Sequence, residues 1–278
     1  MGNACVVACI TDFGTSDYYA GALRGALAAR IPGGSIVDVT HEISPGDIRR
    51  AAMTLWEAQP SFPKGTVFLT IVDPGVGTSR AASAIRFPDC TVVCPDNGVA
   101  TFLMERHPPT GAVSLDPRRV SGQVLSNTFH GRDLFAPAAA QIALGTDLRK
   151  LGPALASPVR IPLPRFQGGP QEGWEGEVLY TDRFGNAVTS IGRISFDLDR
   201  LEPWLPTGAR GGILSPEAGA VLEDGSRLPL RRTYADAKDE AERVALAGSN
   251  GLLEIAARRP GDGISLRAGT RVRLINSA

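Results

Sequence analysis

Two short loops carry the residue types best suited to gripping a small polar molecule. The first is Thr11-Asp12-Phe13-Gly14-Thr15-Ser16-Asp17, and the second is Val72-Asp73-Pro74-Gly75-Val76-Gly77-Thr78-Ser79-Arg80. Each follows an apolar run that reads as a buried strand, and in open α/β sheets ligands bind beyond the carboxyl ends of strands. A carboxylate at Asp12 can accept from both hydroxyls of a ribose diol. Asp73 and Arg80 can meet across the glycine-containing turn between them. Histidine is scarce: His41, His107 and His130 are all there are. His130, in Thr128-Phe129-His130-Gly131-Arg132-Asp133, falls at a strand-to-helix junction where an imidazole can face a pocket. Plainer readings stand beside each of these. Asp12 or Asp17 can cap the helix starting near Tyr19, Asp73 and Arg80 can form a structural ion pair, and a lone histidine is more often structural than catalytic. In Asp182-Arg183-Phe184-Gly185-Asn186 and Gly248-Ser249-Asn250-Gly251, turn chemistry alone accounts for Asp, Asn and Gly.

Other chemistries are excluded by what the 278 residues contain. Lys+Arg and Asp+Glu both number 29, so the electrostatic footprint of a duplex-binding protein is missing. None of the three lysines, Lys64, Lys150 and Lys238, stands in a Walker P-loop, and Gly75 and Gly77 do not form GxGxxG at the start of a helix. There is no HExxH and no GxSxG nucleophile elbow. Cys5/Cys9 and Cys90/Cys94 form two C-x₃-C pairs. Both fall on apolar strand-like runs, where four residues span roughly 13 Å, too far for one tetrahedral zinc, so reduced core thiols are expected. No run of 18 apolar residues suggests a spanning helix. The N-terminus lacks the basic flank and cleavage site of a signal peptide, so a soluble, cytoplasmic chain without nucleic-acid or membrane partners is expected.

The elements that must position these loops alternate through the first 150 residues. Strands are predicted at Ala4–Thr11, Ser35–Thr40, Thr66–Val72, Ser83–Phe87 and Thr91–Cys94. Helices are predicted at Tyr19–Arg30, Asp47–Gln59, Val99–Arg106 and Asp133–Leu144. This βαβ punctuation implies an α/β domain, residues 1–155, with a mainly parallel central sheet covered on both faces. Pro153, Pro158, Pro162, Pro164 and Pro170, with several glycines, break regular structure between Gly152 and Gly173, giving a linker over 156–173. Beyond it, strand-like pieces at Glu177–Thr181, Ala187–Ile191, Leu252–Ala256 and Arg271–Leu274 suggest a smaller β-barrel domain, 174–278.

Taken together, the motifs resemble one family. TDFGTSD at Thr11–Asp17, VDPGVGTSR at Val72–Arg80, PDNG at Pro95–Gly98, TFHGRDLFAP at Thr128–Pro137, DRFGN at Asp182–Asn186 and SNGLLEIA at Ser249–Ala256 run in the order found in S-adenosyl-L-methionine (SAM) hydrolases. These enzymes, also called SAM hydroxide adenosyltransferases, are kin to fluorinases and chlorinases. The resemblance implies an α/β N-domain, a β-barrel C-domain, and a homotrimer with active sites between the N-domain of one subunit and the C-domain of the next. It implies SAM as substrate, no cofactor or metal, and a water-delivering set matching Asp73, Arg80 and His130. By the same carry-over, Asp12 holds the ribose hydroxyls, and Asp17 and Asp182 the methionine ammonium. Phe184 and Asn186 border the adenosine, Ser249 meets the methionine carboxylate, and Glu254 with the backbone near Ala257 lines the adenine pocket.

The resemblance also marks departures. Gly46 stands where relatives often have Phe or Trp against the nucleoside, Asn250 where halogenases have Arg, and Arg258 where hydrolases commonly have Asn; residues 193–243 match no motif. Halogenating relatives carry Tyr at the position of Asp73, and fluorinases carry Ser at that of Gly131. Asp73 and His130 therefore favour hydroxide as nucleophile, forming adenosine and L-methionine. Which residue takes the proton stays open. A SAM or adenosine sensor with negligible turnover, a chlorinase-like halogenase and a nucleoside N-glycosidase are the alternatives, separated by their products.

Overall fold

In the computed structural model, residues 5–122, 126, 128–239, 242–257 and 266–276 are described. The chain divides into two compact units, residues 1–161 and 162–278.

The first unit is a six-stranded sheet of order β2-β1-β3-β5-β4-β6. Its strands are β1 (Val6–Thr11), β2 (Ser35–Thr40), β3 (Thr66–Ile71), β4 (Ala82–Arg86), β5 (Cys90–Pro95) and β6 (Gly111–Ser114). β2, β1, β3 and β5 run parallel, while β4 and β6 are antiparallel to their neighbours. Successive side chains of a strand point to opposite faces, and the core divides accordingly. Val7, Cys9, Val67, Leu69, Ile71 and Val93 pack under α1 (Tyr19–Ala28) and a later helix (Ala136–Ala143), with its Ala138, Ala139 and Ile142. Ala8, Ile10, Phe68, Val92 and Cys94 pack on the opposite side, under α2 (Ile48–Ala58) and α3 (Thr101–Arg106). β3 is buried at all six positions, as a strand covered on both faces must be. A short α4 (Pro117–Val120) follows, and the Ala136–Ala143 helix is α5.

The second unit is a closed barrel of seven strands. β8 (Gly173–Thr181), β9 (Ala187–Gly192), β12 (Gly219–Leu222), β13 (Arg227–Arg231), β14 (Arg243–Ala247), β15 (Leu252–Ala257) and β16 (Arg271–Ile275) pair in the order β16-β12-β13-β14-β15-β9-β8, and β16 returns to β8. β7 (Phe166–Gly169) lies outside β8, and β10 (Arg200–Leu201) with β11 (Gly212–Ile213) makes a small ribbon. Only β13 and β14 are parallel among the barrel pairs. β8 closes the barrel by pairing with β16 through Trp174–Glu177 and with β9 through Val178–Thr181. Gly176 is required there, since a Cβ would stand 2.5 Å from Ile191 Cγ1.

The predicted barrel strands appear, each extended at one or both ends, but β12, β13 and β14 do not announce themselves in the sequence. β12 has four residues, Pro229 interrupts the pattern of β13, and Arg-Val-Ala-Leu-Ala in β14 reads equally well as helix. The proline-rich stretch likewise contains a strand, β7, that its composition hides. All four cysteines are free. Burial pushes the thiols of Cys9, Cys90 and Cys94 up to about 12, so they are neutral and unreactive at neutral pH. Among the described residues no group of three or more His, Cys, Asp and Glu is placed to hold a metal ion, and no helix is long and apolar enough to cross a membrane.

Candidate active site

The loop after β1 is held from beneath. Thr11 is fully buried, and its Oγ1 lies 2.8 Å from Nδ1 of His41, itself 5% exposed. The same hydroxyl accepts from the Phe13 amide, and the His41 carbonyl accepts from Gly14. Asp12 is thereby fixed between two anchored residues. Its Oδ2 accepts from the Gly46 amide at 2.9 Å, an arrangement reached with Gly46 at φ +76°, where a residue with a side chain would be strained. Burial raises the Asp12 pKa, the Gly46 hydrogen bond opposes this, and the nearby Asp73 charge adds to it. Asp17 is exposed. Neither aspartate caps α1, whose N-cap is Tyr18 without a side-chain hydrogen bond, so helix capping does not explain them.

Asp73, Arg80 and His130 do come together. Arg80 Nε donates to both oxygens of Asp73, at 2.8 and 2.9 Å, and its Nη2 also contacts Oδ2. The Arg80 Nη2 is 3.2 Å from His130 Nδ1. Guanidinium has donors only, so Nδ1 is the acceptor and neutral His130 carries its proton on Nε2, facing outward from the pair. Burial first, then the Arg80 charge, lowers the His130 pKa, with Asp73 and Asp133 opposing. Asp73 and Arg80 are nearly buried, with side-chain exposures of 7% and 13%, and the guanidinium stacks 5.3 Å from the Phe135 ring centre. PDNG serves this arrangement from behind: Asn97 Nδ2 donates to the Val72 carbonyl at 2.8 Å, pinning the backbone beside Asp73.

His130 begins a π-helical turn, Gly131–Phe135, that leads into α5. A Cβ on Gly131 would stand 3.0 Å from Phe13 Cζ and 3.2 Å from Phe129 Cε2. Gly131→Ser therefore has to displace both rings. It is expected to cost about 1–3 kcal/mol of stability, measured as a lower denaturation midpoint; an unchanged midpoint would show that the rings yield freely.

In the barrel unit, the turn between β8 and β9 is built on Asp182. Its Oδ1 accepts from the amides of Phe184 and Asn186, and its Oδ2 from Asn186 Nδ2 at 3.0 Å. The turn reading of this segment is realised, and the same bonds hold Asn186 at 5% exposure while Phe184 projects at 66%. Asn186 Nδ2 also reaches Tyr234 Oη at 3.1 Å. Burial raises the Tyr234 pKa, as do the charges of Glu254 and Asp182; Asp182, Asn186, Tyr234 and Glu254 thus form one cluster. Ser249 lines a cavity of about 300 Å³ with Asn250, Arg193, Phe196, Arg200 and Glu202, and its neighbour Gly248 packs against the Glu254 carboxylate. Ala257 ends β15, and Arg258 lies outside the described residues. Nothing in the sequence points to Tyr234, because no spacing rule connects residues 48 apart.

Two family models and several known proteins match this chain. The SAM hydroxide adenosyltransferase N-terminal domain model matches residues 7–152, and the corresponding C-terminal domain model matches residues 176–262. The chain is 41% identical over 275 residues to the (R)-S-adenosyl-L-methionine hydrolase of Thermus thermophilus, covering 96% of this chain and 98% of that protein. A fluorinase of Actinopolyspora mzabensis is 28% identical, with 90% of each chain covered. A solved structure of an uncharacterized conserved protein from Thermotoga maritima superposes with a TM-score of 0.82 at 30% identity, covering 96% of this chain and 99% of the other.

Proposed function

This chain belongs to the SAM hydroxide adenosyltransferase family, and on that premise we propose that it hydrolyses SAM to adenosine and L-methionine by attack of water at C5′. The observation that carries the reading is the Asp73–Arg80–His130 arrangement, an almost buried carboxylate fixed by a guanidinium and flanked by an outward imidazole N–H.

The sulfonium makes C5′ electrophilic and departs as a neutral thioether, so no general acid is needed. As the O–C5′ bond forms, the C5′–S bond breaks and its electron pair goes to sulfur. The difficulty lies with water, whose pKa of about 15.7 makes it a poor nucleophile. Asp73 keeps lone pairs beyond those facing Arg80 and accepts a water hydrogen, taking the proton as the oxygen bonds and later releasing it to solvent. Arg80 holds the carboxylate in register, and His130 offers Nε2–H to orient the same water. Fixing water against C5′ also supplies proximity.

The remaining residues bind. Asp12 accepts from the ribose hydroxyls, Asp17 and Asp182 meet the methionine ammonium, and Ser249 meets the carboxylate. Phe184, Asn186, Glu254 and the backbone near Ala257 border the adenosine. SAM is the substrate, and no cofactor or metal enters the proposal. A cytoplasmic homotrimer, its sites completed by neighbouring subunits, belongs to the same reading; a solution mass of three 29.3 kDa chains checks the assembly.

The deciding experiment incubates the protein with SAM in ¹⁸O-labelled water, with chloride in a parallel tube. Adenosine labelled at its 5′ oxygen, with equal methionine, is expected. Chlorinated adenosine or free adenine would overturn the hydrolase reading, as would bound but unconverted SAM.

A further inference from the structure

Asn186 is, with Glu254, one of the polar side chains that this reading sets against the adenosine, and its hydrogen-bonding capacity is almost spent. A carboxylate only accepts, so the amide edge 3.0 Å from Asp182 Oδ2 is the NH₂. The second amide hydrogen goes to Tyr234 Oη at 3.1 Å. The Asn186 backbone is engaged too, its amide with Asp182 Oδ1 and its carbonyl with the Asp182 amide. At 5% exposure the side chain has little room to turn. What remains is Oδ1, an acceptor.

Tyr234 is itself held in place. It opens a short 3₁₀ turn, Tyr234–Asp236, fastened by the bond from the Thr233 amide to Asp236 Oδ2 and the return bond from the Asp236 amide to the Thr233 carbonyl. Since Asn186 Nδ2 donates to it, a lone pair of Tyr234 Oη faces Asn186, and burial, which raises the Tyr234 pKa, keeps the hydroxyl neutral.

We propose that Tyr234 is a positioning residue for base recognition: by taking up the second amide hydrogen of Asn186 it leaves that residue a pure acceptor, matched to an exocyclic amino group and mismatched to a keto oxygen. The proposal rests on the hydrolase reading, in which Asn186 borders the base. It predicts selection of 6-aminopurine over 6-oxopurine nucleosides, since a keto oxygen would meet Oδ1 with no hydrogen between them. Without the hydroxyl, Asp182 alone holds the amide. One amide hydrogen then has no acceptor, the orientation that presents Oδ1 is held less firmly, and the discrimination against a keto group weakens.

Calorimetric titration of wild type and Tyr234→Phe with adenosine and with inosine, alongside SAM turnover, tests this. Wild type is expected to bind adenosine at least about tenfold more tightly, the scale of one hydrogen bond gained or lost. Tyr234→Phe should shrink the ratio at least about threefold and raise KM for SAM, with kcat within about twofold, the pattern of lost ground-state binding. Tyr234→Gln, whose amide oxygen can accept in place of the hydroxyl, should restore part of the ratio and guards against simple misfolding in the Phe variant. An unchanged ratio in folded Tyr234→Phe overturns the proposal and leaves hydrolysis standing, as does a wild type that hydrolyses SAM but binds both nucleosides equally. A wild type that neither binds adenosine nor converts SAM overturns both.

Discussion

Asp73→Ala is expected to lower kcat for SAM hydrolysis by about 10²–10⁴-fold, the range lost when a positioned proton acceptor is removed, or about 3–5 kcal/mol in the barrier. The substitution acts twice. It deletes the acceptor for the water proton, and it leaves Arg80 without the carboxylate that fixes it, a cation stacked on Phe135 and aimed at His130. Stripping one partner from a pair this sheltered also destabilises the fold. Asp73→Asn, which preserves volume and an acceptor oxygen for Arg80, separates the two effects: stability should largely return and turnover should not. Adenosine affinity provides the control, because Asp12 and not Asp73 is assigned to the ribose. Turnover within about threefold of wild type in either variant would remove Asp73 from the reaction.

Much of this site is legible in the sequence because it follows strand ends. An apolar strand emptying into Asp12, or into Asp73 and the loop to Arg80, announces both the burial of the strand and the exposure of the loop after it. The order of six motifs then brings in His130 from a distant turn. Hydrogen bonds between residues remote in the chain are another matter. Nothing in the spacing tells that His41 supports Thr11, that Asn97 braces Val72, or that Tyr234 completes the environment of Asn186. The barrel shows the same divide. β8 and β15 carry enough apolar residues to be seen, whereas Pro229 in β13 and the four residues of β12 make sense only against the strands beside them. Gly46 also gains its reason from structure: at φ +76° its left-handed backbone, which favours glycine, delivers an N–H to Asp12 Oδ2.

The acid limb of the pH profile should belong to His130. In the neutral form Nδ1 accepts from Arg80; once protonated, Nδ1–H and the guanidinium N–H point at one another, two donors without an acceptor and two cations at 3.2 Å. This conflict, added to burial, is why the pKa falls below the usual 6.5. The imidazole is therefore neutral at pH 7 and above, and this group leaves the rate level there. As the pH drops below the lowered value, Arg80 is repelled, its grip on Asp73 loosens, and kcat falls. Stability moves in the same direction. The unfolded chain takes up this proton near 6.5 while the native chain still resists it, so unfolding is progressively favoured as the pH falls below 6.5. Above 6.5 neither state is protonated and this penalty vanishes. Asp12, whose pKa burial raises above the usual carboxylate value, should act on KM through the ribose and leave kcat alone. Measuring kcat and KM separately against pH in wild type and His130→Gln distinguishes the two groups. The Gln variant, which cannot take up a proton, should be slower and show its acid limb in kcat displaced to lower pH while keeping any rise in KM; an acid limb of unchanged midpoint in that variant would assign the titration to another group and remove the Arg80–His130 contact from the control of turnover.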